Sequence, residues 1–209
     1  MAYNIRNIRN VTLQKKGYFF DANLWLLFLK PPNELSQRQL SYLQFFEDFK
    51  SNQNCPKIIV TALLFSEIIN RYLRDVTYPR FYRKEKHQQD PGKNYYKTVY
   101  RTSQQYKIDY ALLCDDIRSY QEYCTLVNDE LGSKITIDSL FAVPAKGLDF
   151  NDNYYCLLSK EHNYAIVTDD QDFFVEDIEI LTLNGQLLEK AKNSIKIKIP
   201  ITMPLVDGK

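Results

Sequence analysis

Histidine is nearly absent: the 209 residues hold two, His87 and His162, both on polar segments. A hydrolytic site of the Ser-His-Asp or Cys-His kind therefore lacks a base, and no G-x-S-x-G supplies a serine on a strand-to-helix elbow. His162 reads instead as a solvated residue near a helix C-terminus, where positive charge is favoured. Phosphate-cradling glycine loops are missing as well. Neither G-x-G-x-x-G after the first strand nor G-x-x-x-x-G-K-[ST] occurs, which removes dinucleotide and P-loop chemistry. The four cysteines, Cys55, Cys114, Cys124 and Cys156, form no C-x-x-C and no Cys/His ligand spacing, so neither a zinc site nor a disulfide scaffold is expected. Six glycines and eight prolines are too few for a fibrous or disordered chain. The N-terminal stretch is polar and basic, without the apolar core of a signal peptide. The most apolar early run, Phe19 to Leu29, is broken by Asp21 and Asn23 and is far shorter than the roughly 20 residues that cross a bilayer. The expectation is a soluble protein of a reducing cytoplasm with no membrane partner.

The net charge is +1, from 27 Lys+Arg and 26 Asp+Glu, which excludes a uniformly basic nucleic-acid coat. The length suits one large domain, or one domain carrying an insertion, and residues 1–209 are read as a single unit. Aromatic residues are plentiful: 16 Tyr and 12 Phe suggest contact surfaces as well as core.

Hydrophobic patterning predicts a strand at Gly17–Phe20 ending in Asp21, then a helix carrying Leu24, Trp25, Leu27 and Phe28 that stops at Pro31-Pro32. Ser36 caps a second helix with Leu40, Leu43, Phe46 and Phe49 on one face. Lys57–Val60 reads as a buried strand, and Thr61 caps a helix holding Leu63, Leu64, Glu67, Ile68 and Arg71. In the C-terminal third a helix is expected from Asp149 to His162 and a strand from Tyr164 to Thr168. A strand from Ile178 to Leu183, a turn at Asn184-Gly185 and an edge strand opening a tail over 194–209 follow. Strand-then-helix units in succession predict an α/β fold with a mostly parallel central sheet and flanking helices. The middle differs. Residues 71–107 hold ten Lys/Arg against three acids, with seven tyrosines interleaved. With no regular apolar period before Tyr95, they read as a loop leading into helices at Tyr95–Gln105 and Ile108–Leu131, the whole of 75–131 forming a basic, Tyr-rich helical insertion.

What chemistry remains is carried by carboxylates at element ends, where parallel sheets gather functional groups. Asp21 follows the first of these strands; Asp170 and Asp172 follow the strand ending at Thr168; Asp152 sits early in the preceding helix. Glu67 lies amid Phe65, Ile68 and Ile69. Burying one unpaired carboxylate costs several kcal/mol, and clustering several without a cation is worse. Hard oxygen ligands of this kind suit Mg²⁺ or Mn²⁺.

These residues resemble the PIN-domain family of metal-dependent nucleases. A hydrophobic strand running into D-x-N appears as Phe19-Phe20-Asp21-Ala22-Asn23, and a lone Glu in an apolar helix after the next strand as Val60 through Glu67. The third acid, Asp152, lies sixteen residues before Thr168, and Thr168-Asp169-Asp170-Gln171-Asp172-Phe173 fits the last motif. The resemblance covers about 17–74 and 145–185, and the Tyr/Arg-rich middle departs from the short helical hairpin of small family members. It implies a three-layer sandwich in which Asp21, Glu67, Asp152, Asp170 and Asp172 hold Mg²⁺ or Mn²⁺ and hydrolyse RNA, with Asn23 and Thr168 in support. Arg71, Arg74, Arg80, Arg83, Lys84 and Lys86 are the expected contacts to phosphates, with tyrosines for bases. Candidate partners are an RNA substrate, an antitoxin protein that neutralises a toxin-type enzyme, and a second copy of the chain.

Each acid also has a plain structural reading. Asp21 can cap the helix from Ala22, and Asp152 can be the third-position partner of an Asp149 cap. Glu67 can pair with Arg71 one turn on, Asp170 and Asp172 can be turn residues, and the tyrosines can pack beneath a solvated basic face. A non-catalytic RNA- or protein-binding module on the same scaffold is the alternative function. A phosphate-responsive receiver-like domain ranks last, because Val60-Thr61 offers no Asp at the second strand end.

Overall fold

The computed structural model describes residues 3–51, 56–127, 136–142 and 148–197. Six parallel strands form one sheet: β1 (Asn4–Asn7), β2 (Gly17–Phe20), β3 (Lys57–Val60), β4 (Cys124–Leu126), β5 (Ala165–Val167) and β6 (Glu179–Thr182), in the spatial order β1-β6-β5-β2-β3-β4. Every residue of β2, β5 and β6 is buried. Both sheet faces are therefore covered, the usual condition of parallel strands that read as continuous apolar runs. The α/β expectation is met.

Helices α1 (Ala22–Leu29) and α2 (Gln37–Ser51) connect β2 to β3, and α3 (Ala62–Tyr72) leaves β3. The long connection to β4 contains α4 (Tyr78–Lys84), the single turn α5 (Lys93–Tyr95) and α6 (Gln104–Arg118). α7 (Ile137–Phe141) and α8 (Phe150–His162) lead to β5, and α9 (Gly185–Ile197) follows β6. Ser36 and Thr61 cap α2 and α3 as expected, each hydroxyl accepting a backbone N–H three residues on.

Strand order decides where a crevice opens. From β2 the chain moves outward to β3 and β4, returns to lay β5 on the other side of β2, and continues outward to β6. The connections leaving β2 and β5 diverge, and in open α/β sheets the carboxyl ends at such a reversal form the binding crevice.

The core between sheet and α1/α2 is aromatic. Phe28 and Phe46 stack with ring centroids 4.1 Å apart, and Phe20 meets Phe46 and Phe49 edge-on. The inward stripe of α2 is Tyr42, Phe46 and Phe49, whereas Leu40 stays 44% exposed. Tyr42 is inside because its hydroxyl is satisfied there. It lies 2.9 Å from the Thr168 carbonyl oxygen and accepts the Leu183 N–H at 2.6 Å, tying the ends of β5 and β6 to α2.

Several expectations are corrected. β1 lies in the polar N-terminal stretch, paired with β6 along its whole length. The helix expected to reach Leu131 ends at Arg118, and β4 follows it at the opposite sheet edge, with Thr125 and Leu126 exposed. Neither edge strand has an apolar pattern of its own; each is a strand because a neighbour offers free backbone groups. Asn184-Gly185 is a helix start, its Asn184 side chain accepting the Gln186 and Leu187 N–H groups, and α9 occupies the positions read as an edge strand up to Ile197. The tail from 198 lies outside the described residues, as does Cys55.

The middle segment is a loop only over residues 85–92. α3 passes through a π-helical turn (Leu73–Thr77) straight into α4. Tyr78, Tyr82 and Tyr100 are buried in an aromatic cluster of their own, with Phe81, Tyr95, Tyr96 and Tyr106 packed against it. The apolar period is present but written in tyrosine.

Gly17 is demanded by close approach. A Cβ at this position would stand 2.5 Å from Cγ1 of Ile59 and 2.9 Å from Cδ1 of Tyr164. Gly17→Ala is expected to destabilise the fold by about 1–3 kcal/mol through overpacking, read as a lower urea midpoint at an unchanged m-value; a neutral result removes the packing account.

Candidate functional site

Four of the five expected acids line one cleft of about 220 Å³ at the β2/β5 reversal: Asp21, Glu67, Asp152 and Asp170, joined by Asp149, Asn23, Arg71, Tyr155 and Phe173. Each arrives from a different element. Asp21 ends β2 and caps α1, its Oδ1 accepting the Leu24 N–H at 2.9 Å. Glu67 stands on the second turn of α3. Asp152 is in the first turn of α8, whose cap is Asp149, accepting the Asp152 N–H at 2.9 Å. Asp170 follows β5. The structural readings of Asp21 and Asp149 as caps are thus realised together with their place in the cleft. A cap uses one lone-pair direction of a carboxylate and leaves the rest facing outward.

Thr168 links two of the acids. Its hydroxyl donates to Asp21 Oδ2, and the same oxygen accepts the Asp170 N–H at 2.9 Å. Glu67 is held from two sides. Its Oε2 accepts from Asn151 Nδ2 and from the Tyr155 hydroxyl, both at 3.2 Å. Arg71 Nη1 stands 3.7 Å from Glu67 Oε1, while its Nη2 donates to Asn23 Oδ1 at 2.9 Å. The i,i+4 pair foreseen for Glu67 is present but loose, because the guanidinium is shared with Asn23.

Asp172 is placed differently. It is exposed and absent from the cleft lining, and its N–H donates to Asp170 Oδ1 at 3.0 Å. The turn closed by that bond sends Phe173 into the core and Asp172 outward. Asp149, Asn151 and Tyr155 were not singled out as site residues. Tyr155 lies three residues after Asp152, so helical spacing puts it on the same face. Asn151 carries no comparable signal. Of the basic residues expected to meet phosphates, Arg71 enters the acidic cleft and Arg74 lines a separate cavity. Arg80, Arg83, Lys84 and Lys86 are exposed on α4 and just beyond it.

The cleft is electrostatically unbalanced: five carboxylates face one guanidinium. Burial, with a smaller push from Asp170 and Asp169, raises Asp21 to about 7 against the pull of its bonds from Thr168 and Leu24. Burial again, then Asp149, Asp170, Asp21 and Glu67, raises Asp152 to about 7. Two acids that hold protons to neutrality in one cleft mark a site short of positive charge. The donors are all oxygens, the set that suits a hard divalent cation such as Mg²⁺ or Mn²⁺. Among the described residues no three His, Cys, Asp or Glu side chains are close enough together to hold a metal ion as they stand.

The raised values fix the sign of a pH effect. Between about pH 4, where an unfolded aspartate titrates, and about pH 7, the folded protein binds more protons at Asp21 and Asp152 than the unfolded chain. Their contribution to stability therefore falls as pH rises through that window and is flat above it. In EDTA, Asp21→Asn is expected to melt higher than the parent at pH 8 and to lose the advantage by pH 5. Mn²⁺ at pH 8 should raise the parent's Tm and leave the variant's unchanged. A variant that melts lower than the parent at pH 8 contradicts an uncompensated buried carboxylate.

A comparison of the chain with protein-family models finds no match, and neither does a comparison with curated proteins.

Proposed function

We propose that the chain is a Mg²⁺- or Mn²⁺-dependent nuclease that hydrolyses phosphodiester bonds of RNA at the acidic cleft. One observation carries the reading: Asp21, Glu67, Asp152 and Asp170, far apart in sequence, meet beside a single cation at the reversal point of a parallel sheet. Oxygen donors in this number, with two held protonated to neutrality, support a divalent ion better than a structural salt bridge.

Asp21, Glu67, Asp152 and Asp170 would hold the ion. When bound, it would lower the pKa of a water and offset charge building on the phosphate oxygens, so that no histidine base is needed. Thr168 fixes Asp21 and the backbone of Asp170 relative to each other. Asn151 and Tyr155 hold one oxygen of Glu67 and leave its other face to Arg71. The Arg71 guanidinium is only loosely paired with Glu67 and, by giving up its bond to Asn23, would turn its planar fork to a phosphate entering the cleft.

The alternative, a binding module without catalysis, rests on the bridge that Arg71 already makes between Glu67 and Asn23 and on the unclosed donor set. The narrower toxin form, with an antitoxin partner, belongs to the same proposal. Among the described residues no helix is long and apolar enough to cross a membrane.

Single-stranded RNA incubated with the protein and Mn²⁺ is expected to be cut, and EDTA to abolish cutting. Asp21→Asn and Asp152→Asn should each lower the rate by about 10²-fold or more. Thr168→Val, which removes an orienting bond, should cost about 10–100-fold, and Asp172→Asn should leave the rate near that of the parent. Cutting that survives EDTA or Asp21→Asn moves the chemistry elsewhere, and binding without cutting on any RNA favours the module. Expression of the parent, and not of Asp21→Asn, should arrest growth if the toxin form holds, with colony counts as the readout.

A further inference from the structure

The basic middle of the chain builds a second cavity, about 470 Å³, beyond the C-terminal end of α3. Arg74 reaches it from the π turn after α3, Lys93 from α5, Lys97 from the π turn Tyr96–Tyr100, and Arg101 from the residue that follows. One carboxylate, Asp90, shares the wall and offsets one of the four positive charges. Its Oδ1 accepts the Tyr78 hydroxyl at 3.0 Å and the Gly92 N–H at 2.7 Å. Among the described residues Lys93, Lys97 and Arg101 have no ion pair, and the nearest acid to Arg74 is the exposed Asp75 at 3.9 Å. Burial, with Tyr106, raises the half-buried Tyr96 hydroxyl, and Arg101 and Arg74 beside it offset only part of that rise.

Four like charges around one cavity repel one another, and the arrangement persists because the rigid tyrosine cluster beneath it holds the backbone in place. An anion relieves the repulsion. Two guanidinium forks, two ammonium groups and a tyrosine ring match a phosphate with its attached nucleoside. Position points to a polymer. Glu67, Arg71 and Arg74 are spaced i, i+4, i+7 along α3 and the start of its continuation, one stripe of a helical surface. At 1.5 Å per residue the stripe runs about 10 Å from the side of the acidic cleft to the side of the cationic cavity, a separation that a short stretch of one extended strand can bridge.

We infer that this cavity seats a backbone phosphate of single-stranded RNA, on the same strand as the phosphodiester at the acidic cleft and close to it. The identity of the strand rests on the proposed nuclease reading; the binding step does not require cleavage. The test is therefore made in EDTA, by fluorescence anisotropy of a labelled RNA of about twelve nucleotides across a salt series. Lys93→Ala/Lys97→Ala/Arg101→Ala is expected to weaken binding about tenfold or more and to reduce the slope of log K against log salt by about 2. Arg80→Ala/Arg83→Ala/Lys84→Ala removes the same number of charges from exposed α4, outside this cavity, and should do markedly less. The substituted side chains are exposed, and equal melting temperatures show that the fold is kept. Lys97→Glu alone supplies the same test should the triple variant melt low.

Equal losses from the two triple variants would reduce the cavity to diffuse charge and overturn the assignment. So would binding of AMP alone as tightly as the twelve-nucleotide strand, which would make this a free-nucleotide site. A chain that shows the expected losses but cuts no RNA keeps the cavity and removes the nuclease reading. A chain that cuts RNA, with binding and KM untouched by the cavity variant, does the reverse.

Discussion

Carboxylate crowding at the carboxyl ends of β2 and β5 is the constraint around which the rest is arranged. Asp21 is buried just past the end of a strand that is itself buried at every residue, and an ionised carboxylate there is costly unless something offsets it. The fold answers in part. A cap bond from Leu24 and a hydroxyl bond from Thr168 lower the cost. They leave Asp21 and Asp152 protonated up to neutrality. A core built only for stability would carry apolar side chains there, and the excess of carboxylates is what supports the proposed cation site.

The shell around the cleft aims Asp21 and Glu67 by hydrogen bonds to their side chains. Thr168 joins Asp21 to Asp170, and Asn151 and Tyr155 hold Glu67. Tyr42 extends this shell from behind. Its hydroxyl reaches the Thr168 carbonyl at 2.9 Å, Asp169 Oδ1 at 3.1 Å and Thr182 Oγ1 at 3.3 Å. The turn that carries Asp170 is thereby anchored to α2 as well as to the sheet. Asp169 is drawn out of the cleft toward Tyr42 and Arg38, the latter 3.1 Å away, so adjacent aspartates have different tasks.

The middle of the chain follows a different economy of materials. Leu113, Ile117 and Tyr120 pack on α1 and the main core, whereas the stretch from Tyr78 to Tyr106 builds a core of its own from tyrosines. The ring bodies pack while the hydroxyls find partners: Tyr100 donates to Asp109 Oδ2 at 2.7 Å and Tyr78 to Asp90. Seven tyrosines among ten cations looked like a stacking surface; most of those rings are the floor that spreads the cations over a cavity. Stacking on bases and packing under cations use the same residue types, and only burial separates them.

Much of the framework is written locally. Gly17–Phe20 and Lys57–Val60 are strands with the very bounds their sequence pattern indicates, because a fully buried parallel strand must be a short unbroken apolar run. The caps of α1, α2, α3 and α8 follow from single side chains answering orphan N–H groups. Likewise the candidacy of Asp21, Glu67, Asp152 and Asp170 came from their positions at element ends. The sequence by itself therefore determined the fold class, the central strands and most of the acids. The tertiary structure alone decided that β1 and β4 are strands, since an edge strand draws its hydrogen bonds from a neighbour distant in sequence. It also decided that Asp149 faces the cleft while Asp172 does not, and that Arg71 stands among the acids and Arg74 among the cations. These are questions of direction, and a side chain's direction is set by the packing of elements against one another, which no local pattern records.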